Sequence, residues 1–110
     1  MNGKVKESDW KRFREMVPEL RENYLERKNR ELARILSNPK KTPAEQFWDT
    51  FEKMGKERKI LVDCLDGHSR SRMFMSMALM RRYGMLKKEQ LKQFSDELQE
   101  DLDRFLSIND

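Results

Sequence analysis

The chain is poor in cysteine and histidine, with one of each in 110 residues. A lone Cys64 excludes an intrachain disulfide framework, and Cys64 with His68 is too small a set for a zinc site of the usual Cys/His kind. No metal or other cofactor is implied. β-Branched residues are also scarce: there are three valines and three isoleucines, and Ile60 to Val62 is their only cluster. Strand signals are therefore nearly absent. No apolar run approaches the roughly 18 residues of a membrane span, and Met1 to Trp10 has no apolar signal-peptide core. A cytoplasmic location without membrane insertion is expected. Internal repeats and low-complexity segments are missing, and the length fits one domain, residues 1–110, with a modest core.

What the chain has in abundance is charge. Charged residues make up 40% and apolar residues 36%, a balance that leads to disorder when the apolar positions are scattered. Here they recur at helical spacing, so a folded chain is expected. The net charge of +4 is unevenly spread. From His68 to Lys92 seven bases (Arg70, Arg72, Arg81, Arg82, Lys87, Lys88, Lys92) face one acid, Glu89, whereas Gln93 to Asp110 carries six acids and Arg104. Such polarity favours self-association or an anionic partner.

Four helices follow from the pattern, over about residues 9–36, 43–66, 70–83 and 88–107. In the first, Ser8 is placed to cap, and Trp10, Phe13, Val17, Leu20 and Tyr24 form a stripe spaced by threes and fours. The stripe resumes, shifted, at Leu32, Ile35 and Leu36, and Pro18 is positioned to kink the helix. Its length of about 42 Å at 1.5 Å per residue exceeds what a compact domain of this size needs, so part of it is expected to project and pack on another chain. The second helix has a full start signal in Thr42, Pro43 and Glu45. Ala44, Phe47, Phe51, Met54, Leu61 and Leu65 share one of its faces, widened by Trp48 and Val62 and interrupted by Arg58. Gly55 weakens its middle. Gly67 is suited to end it and Ser69 to cap the third helix, which is apolar on nearly all sides and expected at the centre of the core. Gly84 closes that helix, and Leu86 with Leu91 forms a hydrophobic staple at the start of the fourth, whose stripe is Leu91, Phe94, Leu98, Leu102 and Phe105.

One segment has the residue types of a reactive site. Cys64-Leu65-Asp66-Gly67-His68-Ser69-Arg70-Ser71 fits C-x-x-G-x-x-R-S, which resembles the phosphate-binding loop of the dual-specificity group of cysteine-dependent protein phosphatases. The resemblance covers about residues 59–80. It implies a strand at Lys59-Ile60-Leu61-Val62, a nucleophilic thiolate at Cys64, a bidentate phosphate clamp at Arg70 and an assisting hydroxyl at Ser71. The alternative reading makes Cys64 a buried small hydrophobe and Gly67 a helix C-cap, with Arg70 and Arg72 on an exposed first turn. The backbone of Lys59 to Val62 separates the two readings, because the first needs a paired strand there and the second a helix.

Other features carry weaker expectations. Met73, Met75, Met77, Met80 and Met85 fit either plain core or an adaptable partner groove. Ser69, Arg70, Arg72, Arg81 and Arg82 are candidate anion-binding residues, and a basic third helix is compatible with non-specific nucleic-acid binding. His68 reads as a turn residue. The expected architecture is an all-α, mostly antiparallel four-helix bundle. The expected role is a non-enzymatic protein-interaction or regulatory module, forming homo-oligomers through its long first helix.

Overall fold

The computed structural model describes residues 5–108; Asp110, counted above among the C-terminal acids, lies outside them, as do residues 1–4. The fold is an all-α bundle of four α-helices, α1 (Glu7–Leu36), α2 (Pro43–Leu65), α3 (Met73–Arg82) and α4 (Asp96–Ile108), with a 3₁₀ helix at Lys88–Gln93. Helix α1 starts two residues before the expected position. Ser8 lies inside it, and the cap position is taken by Lys6, whose carbonyl accepts from the amides of Asp9 and Trp10 at 3.0 Å. Glu7 and Asp9 in the first turn suit the positive end of the helix dipole. The helix continues through Pro18 to Leu36, about 45 Å at 1.5 Å per residue.

Helix α2 has the capping box its sequence predicts. Thr42 Oγ1 accepts from the Glu45 amide at 3.1 Å, and Glu45 Oε1 accepts from the Thr42 amide at 2.9 Å. The helix runs unbroken through Lys59 to Val62 and ends at Leu65, with Gly67 just beyond it at φ 69°. Helix α3 begins at Met73 instead of Arg70. Ser69 does not cap it: its Oγ and its carbonyl both accept from the Arg72 amide, closing a separate turn over Arg70 and Ser71. Gly84, at φ 75°, ends α3 in the left-handed conformation, and the amides of Met85 and Leu86 fold back onto the Met80 carbonyl at 2.8 and 3.1 Å.

The single fourth helix expected over 88–107 is divided at Phe94 and Ser95. The Ser95 amide and hydroxyl both donate to the Asp9 carboxylate, at 2.8 and 2.7 Å, so that amide is not available to a helical carbonyl. Ser95 Oγ in turn accepts from the Leu98 amide at 3.2 Å and starts α4. A long-range polar contact thus sets a boundary that local spacing does not reveal.

The core lies at one end of the molecule. Trp10, Phe13, Met16, Leu20 and Tyr24 of α1 pack with Cys64 of α2, Met73, Met77, Ala78 and Met80 of α3, and Met85, Leu86, Leu91, Phe94, Leu98 and Leu102. At roughly 1.5–3 kcal/mol per fully buried large apolar side chain, the α1 stripe is a principal stabilising element. Four of the five methionines weighed as a groove, Met73, Met77, Met80 and Met85, are buried core, and Met75 alone is exposed.

Beyond Tyr24 on α1 and before Ile60 on α2, neither helix adds an apolar residue to this core. The two helices continue together as an antiparallel arm. Tyr24 hydroxyl donates to Glu57, Lys28 Nζ lies 3.9 Å from Glu57 Oε2, and at the tip Gln46 donates to the Asn38 carbonyl at 2.7 Å while Lys41 pairs with Asp49. The arm explains an elongated shape of 54 × 28 × 24 Å and a radius of gyration of 16.7 Å, against about 13 Å for a compact chain of this length.

Candidate functional site

The segment Cys64 to Ser71 does not form a phosphate cradle. Cys64 lies on the last turn of α2, fully buried in the core, and its thiol is pushed up to about 11, first by burial and then by the charge of neighbouring Asp63. A thiol held protonated at neutral pH is a poor nucleophile. The strand implied at Lys59 to Val62 is helix. Arg70, the implied clamp, reaches away from Cys64 to the start of α1, where its Nε and Nη2 donate to the two Glu7 oxygens at 2.7 and 3.1 Å. That pairing lowers the Glu7 carboxyl and raises the Arg70 guanidinium, which also lies 5.5 Å over the Trp10 ring. Ser71 is exposed, its Oγ 3.3 Å from that of Ser69. His68 Nε2 is 2.7 Å from the Cys64 carbonyl. Because a carbonyl only accepts, that ring nitrogen carries the proton, and the imidazole serves to close the end of α2.

The five anion-binding candidates are likewise not gathered together. Arg70 and Arg72 stand before α3, whereas Arg81 and Arg82 form its last turn, about 15 Å along a ten-residue helix. Arg72 folds over Gly67, so close that a Cβ there would come within 2.8 Å of its guanidinium. Arg81 Nη1 donates to the Leu86 carbonyl at 3.1 Å, holding the turn after α3. Arg70 thus fastens the start of α1 and Arg81 the turn after α3. Among the described residues there is also no group of three or more His, Cys, Asp or Glu side chains able to hold a metal ion, and no helix is long and apolar enough to cross a membrane.

The unusual surface is on the arm. The face of α2 that carries Phe47, Phe51 and Met54 reads from its periodicity as core-facing, yet it points outward. Phe47, Trp48, Phe51 and Met54 are 57, 61, 63 and 53% exposed, and Val62 extends the face toward the body. The inner face of the same stretch is polar. Glu57 is buried there, receiving the Tyr24 hydroxyl on one oxygen and Lys53 Nζ at 3.2 Å on the other. Burial, together with the bond to the Glu57 carboxylate and its charge, raises Tyr24 well above its ordinary range.

The aromatic residues are organised. Trp48 meets Phe47 edge-on at 4.9 Å between ring centroids and Phe51 at 5.8 Å, so the three rings present one surface. Leu36 at the end of α1 is also exposed. The signal available in the sequence was the clash of two stripes on α2: Glu57, Ile60 and Cys64 lie on the opposite side of the helix from Phe51. No protein-family model matches the chain, and no curated protein or solved structure matches it.

Proposed function

We propose that this chain is a non-enzymatic protein-interaction module that self-associates through the outer face of its arm. The observation that carries the reading is the ordered cluster Phe47, Trp48, Phe51 and Met54, open to solvent on a helix whose inner face is polar. With Val62 the cluster forms an exposed apolar face along α2, and an exposed patch of clustered aromatic side chains marks an interaction site. The arm itself supplies a second argument. The buried ionic cluster between the two helices adds little net stability, because desolvation offsets most of the attraction. An apolar partner laid on the outer face supplies the burial that the arm lacks.

Trp48 is a built-in reporter, since Trp10, the other tryptophan, is buried. In a Trp10→Phe variant the emission of Trp48 should shift to the blue as concentration rises through the micromolar range, with the loss of exposure to a soluble quencher. An emission maximum and quenching constant independent of concentration would overturn the reading.

A further inference from the structure

Resting on that reading, we infer that two copies pair through α2 in antiparallel fashion, crossing at Gly55, with Glu52 and Lys59 of each copy facing Lys59 and Glu52 of the other. Glycine at this position has no purpose within one chain. A Cβ built on Gly55 meets nothing within 4 Å, and φ is not in the left-handed region, so neither space nor backbone conformation calls for glycine. Gly55 is nevertheless in the middle of the exposed face, on the line through Ala44, Phe51 and Val62 at 100° per residue. A residue without a side chain there lets a second helix approach backbone to backbone.

The charges choose the direction. Glu52 and Lys59 are seven residues apart, hence on the same flank of the stripe, and both are exposed; Glu52 pairs with Lys56 of its own helix, at 3.3 Å. In an antiparallel pair related by a two-fold axis near Gly55, like flanks meet, and Glu52 of one copy stands beside Lys59 of the other, twice over. A parallel pair would set this flank against the other one, which carries Met54 and Leu61, and leave both charges unmatched. The same axis seats Phe51 of one copy between Arg58 and Val62 of the other. Arg58, the cation that interrupts the apolar stripe, then lies against an aromatic ring. The face remains open as far as Val62, the position opposite Trp48 of the second copy in this arrangement.

The test uses charge reversal on the full chain. Glu52→Lys alone and Lys59→Glu alone each set like charges together and should weaken self-association at least tenfold, whereas an equimolar mixture of the two should restore it as a heterodimer. Gly55→Leu should abolish pairing while leaving the helical circular dichroism spectrum intact, because the monomer has room for the side chain. If the wild type associates but mixing restores nothing, the antiparallel arrangement is overturned and self-association stands. If the wild type does not associate at any concentration, the underlying reading fails and this inference with it.

Discussion

Tyr24 and Glu57, separated by 33 residues, are joined by a hydrogen bond from the phenol to a buried carboxylate at the base of the arm. Lys53 and Lys28 close around the same carboxylate at 3.2 and 3.9 Å. This cluster fixes how the two long helices are registered and marks where the apolar core ends. Removing one partner strands the rest. Glu57→Ala should cost about 2–3 kcal/mol, since it leaves the Tyr24 hydroxyl and the Lys53 ammonium uncompensated, and Tyr24→Phe about 1–2 kcal/mol. Urea unfolding curves measure both, and an unchanged midpoint for Glu57→Ala would show that the cluster does not hold the arm.

The same pair predicts a pH dependence. Tyr24 in the folded chain is raised above its ordinary value of 10.0, by burial first and then by Glu57. Above pH 10 the unfolded chain therefore releases this proton while the folded chain keeps it, and stability falls as pH rises. Below pH 10 the contribution is complete. The stability difference between wild type and Tyr24→Phe should shrink in urea titrations carried above pH 10 and stay constant from pH 6 to 9.

Cys64 should be inert in the native state. With no exposed surface and a thiol pushed up to about 11, it should resist iodoacetamide at neutral pH and react promptly in denaturant. Rapid alkylation of the folded chain would contradict its placement in the core and reopen the phosphatase-like reading of Cys64, Arg70 and Ser71.

Asp9 ties the first turn of α1 to the start of α4 through two hydrogen bonds from Ser95. Asp9→Ala should lower stability by about 1–3 kcal/mol, because two partly buried donors lose their acceptor. Its amide exchange should accelerate first at Ser95 and in the first turn of α4. A uniform acceleration over all helices would indicate global destabilisation without this specific anchor.

The helices were legible because their signals are local: the Thr42, Pro43 and Glu45 start, the α1 stripe and the glycines at 67 and 84 all act within a few residues. The break at Ser95 was not, since it depends on Asp9, 86 positions away. The outward direction of Phe47 and Phe51 escaped for a different reason. Periodicity marks a face of a helix but not what covers it, and here α1 meets α2 through Tyr24 and Lys28 at Glu57, while the turn after α1 holds Gln46 and Asp49 through Asn38 and Lys41. Cys64 and Arg70 are close in sequence, yet the helical backbone of Lys59 to Val62 sends one into the core and the other to Glu7.

Gly55 separates the needs of the single chain from those of the pair. Gly55→Ala should raise the stability of the isolated chain by up to about 1 kcal/mol through helix propensity, while weakening self-association. Thermal melts at low protein concentration read the first effect and dilution experiments the second. A variant that is both less stable and equally associated would remove the case for a helix crossing at this residue.

Sedimentation equilibrium of the wild type beside Phe51→Glu is the most direct test of the arm as a self-association surface. The wild type should show a concentration-dependent mass rising from 13.4 kDa toward twice that value, and Phe51→Glu should stay at the mass of one chain with its helix content unchanged. A wild type that remains at the single-chain mass at every concentration, or a Phe51→Glu variant that associates equally well, would contradict it.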